Sequence, residues 1–102
     1  MPYDFQNGSL QMAEAYYQLG ETEKADAIVK ALADKAVEYV TWYLSLDDNR
    51  FLVSTGEVEY HLALLDAEVK KMRQYNSTLT PTYEEQLGSL YHHYVERMGY
   101  KE

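Results

Sequence analysis

The chain has 102 residues, no cysteine, and a formal net charge of −8 from 17 acidic against 9 basic side chains. That charge argues against a nucleic-acid partner, whose phosphates demand a basic surface, and against docking on anionic lipid. The lack of cysteine excludes a disulfide frame and a thiolate metal site, while 46% hydrophobic residues suffice for one modest core.

The opening MPYDFQNGSL has neither the basic nor the apolar region of a signal peptide. No stretch reaches the roughly 18 apolar residues that a spanning helix needs, so no direct membrane insertion is expected. The first helix is expected from about Gly8 to Leu19, with Asn7 or Ser9 as its cap. Gly20 follows its last turn, where a left-handed backbone costs glycine little.

A second helix runs from near Thr22 to about Leu46. Glu21, Glu23 and Asp26 favour its positive end. Its apolar stripe is read as Ala25, Ile28, Leu32, Ala36, Tyr39, Tyr43 and Leu46. The LDDN segment interrupts the pattern, and Asp47 or Asp48 would cap a third helix from about Arg50 to Tyr75. Phe51, Thr55, Val58, Leu62, Leu65, Val69 and Met72 alternate by four and three, as in a seam between helices. Gly56 within that span suggests close helix approach or fraying.

The loop NSTLTPT comes next. Thr80 is read as a cap with Pro81 in the first helical position, and Thr82 with Glu85 as a capping box. The fourth helix, to about Met98, turns Tyr83, Leu87, Leu90, Tyr91, Tyr94 and Met98 to one side, and Gly99 ends it. The expected fold is all-α: four antiparallel helices in a single domain over 1–102. A first hairpin spans 8–46 and a longer capping hairpin spans 50–99.

The segment MAEAYYQLGETEKADAIVKAL, Met12 to Leu32, resembles one tetratricopeptide repeat. Met12, Ala13, Tyr16, Gly20 and Ala25 carry the likeness. Ala13 and Ala25 let two helices approach, Gly20 makes the turn, and Tyr16 fills the groove. Leu32 departs from the pattern, which prefers a small residue there. No proline ends the second helix, and no second copy follows. One repeat cannot bury its own faces, so the C-terminal hairpin must cover the second helix.

A wider likeness covers nearly the whole chain, through PYD, MAEAYY, WYLSLD and EYHLALL. These phrases resemble the C-terminal tail of a Bacteroidetes membrane-protein family. Its members carry a multi-spanning region distantly similar to protein O-mannosyltransferases, followed by a tetratricopeptide-like region. The resemblance implies a non-catalytic interaction or scaffolding module at the end of a longer protein, on its periplasmic face. Glycosyl-transfer chemistry would lie elsewhere in the parent, so no catalytic residue and no cofactor carries over.

Three constellations invite chemistry. His92 and Glu96, with His61, suggest a metal, but zinc needs about four converging ligands. Glu57, Glu59, His61 and Asp66 suggest acid–base work, yet helical carboxylates usually line a solvated face and no nucleophile accompanies them. LDDN lacks the spaced oxygens of a calcium loop. Tyr39, Trp42 and Tyr43 are either core or a rim for peptide or glycan; exposure of Trp42 decides. On the first helix, Met12, Tyr16 and Leu19 are expected to pack on the second. Leu10 and Tyr17, with Phe5, would then be partly exposed as a docking face. Its partner would be upstream repeats of the parent or, in isolation, a second copy.

Overall fold

The computed structural model describes residues 2–99, with side chains from residue 8 onward. Among these it is all-helical, without strands: α1 (Pro2–Gln18), α2 (Thr22–Leu44), α3 (Asp48–Val53), α4 (Thr55–Gln74) and α5 (Thr80–Met98). Helix α2 packs against α1, α4 and α5, and so lies at the centre.

The boundaries follow from local chemistry. α1 begins at Pro2, so the positions expected as its cap, Asn7 and Ser9, lie within the helix and not at its start. It ends where Gly20 takes φ 80°. The Gly20 N–H donates to the Tyr17 carbonyl at 3.0 Å and the Glu21 N–H to the Tyr16 carbonyl at 2.9 Å. This paired closure is a Schellman turn, which needs a left-handed residue. α4 ends the same way on Asn76, at φ 55°. There Asn76 donates to Arg73 and Ser77 to Met72, at 3.1 and 2.9 Å.

The single helix expected from Arg50 to Tyr75 is two. Asp47 caps α3, accepting the Arg50 N–H at 3.0 Å. Ser54 then interrupts the helix: its N–H closes on the Phe51 carbonyl and its hydroxyl donates to the Arg50 carbonyl at 2.8 Å. Such a hydroxyl competes with the helical ladder and bends it. Gly56 falls in the first turn of α4, and a Cβ there would meet nothing within 4 Å, so the expected close approach is absent.

At the start of α5, Thr80 does not cap. Its hydroxyl donates back to the Ser77 carbonyl at 2.8 Å, while the Ser77 hydroxyl accepts the Leu79 N–H at 3.1 Å. Thr82 and Glu85 already lie within α5, so the expected capping box does not form there.

The stripe read on α4 is the buried one over Val58, Leu62, Leu65, Val69 and Met72, with Phe51 from α3, whereas Thr55 at the start of α4 is only half-buried. On α2 the stripe read from sequence holds in part. Ala25, Leu32 and Ala36 are buried as expected, but Val29, Ala33, Val40 and Leu44 are inside as well, while Tyr39 is exposed and Ile28, Tyr43 and Leu46 are half-buried. A helix touched on three sides places small and β-branched residues at its contacts and sends large rings to the flanks. Spacing by three and four fits either face equally well. On α5, Tyr83 and Tyr94 are buried and Tyr91 is exposed.

Candidate functional site

The two faces of α1 are exchanged relative to expectation. Ala13 is fully buried and Tyr17 is 7% exposed, whereas Met12 is 55% and Leu19 73% exposed. Leu10 is half-buried against the core formed by Ala13, Ala25, Val29 and Ala33. Tyr17 is therefore not part of an open docking face, and the Phe5 side chain lies outside the described residues. Tyr16 is half-buried at the edge, with the Lys24 ammonium 5.6 Å from its ring centre. The exposed apolar stripe of α1 is Met12, Ala15 and Leu19, flanked by Tyr16.

Tyr17 is drawn inward by a polar junction where α1, α2 and the α4–α5 loop meet. Its hydroxyl donates to Asp26 Oδ1 at 2.5 Å, and the Ser77 hydroxyl donates to the same oxygen at 2.8 Å. Its ring stacks on Tyr75, centres 4.7 Å apart and planes within 9°. The Tyr75 hydroxyl and the Lys71 ammonium both reach Glu14 Oε2 at 3.0 Å. Those two donors, Lys71 foremost, hold the Glu14 carboxyl below its ordinary range. Burial, then the Asp26 hydrogen bond, pushes the Tyr17 hydroxyl far above its usual pKa. Asp26 was read from sequence only as charge at the start of α2, and Tyr75 and Ser77 were given no role in a site, because the partners that join them lie up to 61 residues away.

Trp42 is 57% exposed and Tyr39 is exposed as well, so the rim reading of the late-α2 aromatics survives for these two, while Tyr43 is half-buried and packs against the core. They form a ring cluster with α4. His61 stacks on Tyr39 at 4.7 Å and on Tyr43 at 6.2 Å, and Tyr60 meets it edge-on at 5.1 Å. Trp42 meets Tyr43 edge-on at 5.0 Å. Burial lowers the His61 pKa, opposed by nearby Glu57, and its Nδ1 has no hydrogen-bond partner.

A groove of about 1020 Å³ separates α4 from α5. Leu62, Leu87 and Val95 give it an apolar floor, Ala63 and Gly88 keep its walls low, and Tyr91 projects beside it. Its rim carries Glu59, Asp66 and Glu84 against one arginine, Arg73, which pairs with Glu84. An isolated glycine inside the α5 pattern was the available sequence signal for it.

The remaining constellations do not converge. His92 and Glu96 face each other at 3.6 Å on an exposed surface at the edge of the α4–α5 groove, whereas His61 sits among Tyr39, Tyr43 and Tyr60. Asp66 pairs with Lys70 at 2.9 Å, and Glu59 accepts the Tyr94 hydroxyl. Among the described residues no group of three or more acidic or histidine side chains is placed to hold a metal ion. Nor is any helix there long and apolar enough to cross a membrane. No family model matches the sequence, and no curated protein or solved structure is significantly similar to it.

Proposed function

We propose that this chain is a non-catalytic protein-interaction or scaffolding module, the soluble tail of a membrane-anchored, glycosyltransferase-like parent. In this reading the four long helices run antiparallel. α1 and α2 form a tetratricopeptide-like hairpin, which α4 and α5 cap. Burial of Ala13 and Ala25 with the left-handed turn at Gly20 supports the hairpin. The Tyr17–Tyr75 stack supports α1 and α4 ending side by side.

The observation that carries the function is the open stripe of Met12 and Leu19 on α1. A terminal repeat of a stack ordinarily turns a polar face outward. An apolar one marks a surface meant to be covered, by upstream repeats in the parent or by a second copy in isolation. Sedimentation of the isolated chain tests this, in salt sufficient to screen its −8 charge. Self-association should appear with rising concentration and disappear in Met12→Glu with Leu19→Glu, while the melting temperature stays put. A chain that stays monomeric throughout returns α1 to the role of a plain structural cap.

A further inference from the structure

The groove between α4 and α5 contains a residue that the fold itself does not explain. Gly88 sits inside α5, where glycine weakens a helix relative to alanine. Such a glycine is ordinarily kept because a neighbouring element needs the space. Here a Cβ would meet nothing within 4 Å, and its φ is not left-handed. The space above Gly88 is unused by this chain. Across the groove stands Ala63, also small and also exposed. Two low walls over an apolar floor admit a helix backbone.

The dimensions agree. Glu59 and Arg73 bound the groove along α4, which at about 1.5 Å per residue makes it roughly 21 Å long, close to four helical turns. The charge fixes the kind of helix. Glu59, Asp66 and Glu84 line the rim; Asp66 pairs with Lys70 and Glu84 with Arg73, which leaves Glu59 without a cation, and the whole chain carries −8. Glu59 accepts a neutral tyrosine hydroxyl and so keeps its charge uncompensated. A second copy would bring a further −8 and repel at low salt.

The geometry points to a partner helix of amphipathic, basic character: an apolar face laid on Leu62, Leu87 and Val95, flanked by lysine or arginine meeting the acidic rim. This rests on the reading of the chain as an interaction module, and names a partner class on a face other than the α1 stripe.

The probe is a designed helical peptide of about four turns, with leucine at three-and-four spacing and lysine elsewhere. A matched leucine–glutamate peptide is the control. Titration into the labelled chain should move the amide signals of Ala63 and Gly88, and the lysine peptide should bind at least about tenfold tighter than the glutamate one. Gly88→Leu fills the groove without removing any contact, and should keep the fold while weakening binding by about tenfold or more. Met12→Glu with Leu19→Glu should leave this binding unchanged, which separates its failure from failure of the α1 stripe. Equal binding of the two peptides overturns the proposal. So does undiminished binding by Gly88→Leu, signal changes confined to the Trp42 cluster, or self-association abolished by Gly88→Leu.

Discussion

Two regions of this small protein bury polar groups, and they do so in opposite ways. At the junction of α1, α2 and the α4–α5 loop, Tyr17, Asp26, Ser77, Tyr75, Lys71 and Glu14 satisfy one another through hydrogen bonds of 2.5 to 3.0 Å. Midway along α4, Glu68 is 2% exposed with Oε1 unpartnered, and His61 Nδ1 is unpartnered two turns away. A satisfied network fixes geometry at little net cost, whereas an orphaned group carries its desolvation penalty into the folded state. The junction therefore positions helices, and the middle of α4 stores a liability that pH controls.

The largest expected effect lies at Glu68. Burial raises its carboxyl from 4.5 to about 8. A carboxyl whose folded pKa exceeds its unfolded one loses stability as pH rises between the two values, so stability should fall from about pH 4.5 to pH 8 and then level off. The shift corresponds to at most ~5 kcal/mol. Urea unfolding from pH 5 to 8.5 should show this decline, and Glu68→Gln should flatten it. A parent with no slope there would show that Glu68 gains a partner or water in solution. His61 acts in the other direction: its lowered pKa takes stability away as pH falls through 6.5 and below. The optimum is thus pinched from both sides by two side chains on one helical face.

Leu65, one turn before Glu68, is the apolar control. It is fully buried in the core with Val69 and Met72. Leu65→Ala should cost about 2–5 kcal/mol by removing packing and leaving a cavity, with a loss independent of pH. A loss that tracks pH instead would mean that the cavity admits water to Glu68.

At the satisfied end, Tyr17→Phe keeps the stack on Tyr75 and removes the donor to Asp26. The expected loss is about 1–3 kcal/mol, the scale for a buried hydrogen bond to a charged group. Equilibrium denaturation checks it, and a neutral outcome would show that Ser77 alone satisfies Asp26. The same tyrosine marks where the sequence ceased to be legible. Seven-residue periodicity on α4 identified its buried stripe, because that helix presents one dominant face. On α1 both faces carry large apolar residues, so periodicity allowed two answers. The deciding partners, Asp26 and Ser77, lie 9 and 51 residues apart in pairing distance from Tyr17 and from each other. Glu68 lies at helical spacing between Leu65 and Met72 but was not singled out from sequence, because a carboxylate there reads as solvated until the covering helices are known. The α4–α5 groove depends on how two helices splay, which no local pattern encodes.

The smallest expected effect concerns the left-handed residues that bring the junction together. Gly20 at φ 80° and Asn76 at φ 55° close equivalent turns, one on α1 and one on α4. Glycine occupies this region freely, asparagine at modest cost, and a β-branched residue at about 1–2 kcal/mol. Nothing lies within 4 Å of a Cβ added at Gly20, so the backbone alone sets the penalty there. Gly20→Val should lower stability by about 1–2 kcal/mol, and Gly20→Asn by less. Thermal melts of the two variants measure the difference. If valine and asparagine cost the same, the turn relaxes out of the left-handed region. The Tyr16 and Tyr17 carbonyls would then lose their partners, and with them would go the angle at which α1 delivers Tyr17 to Asp26.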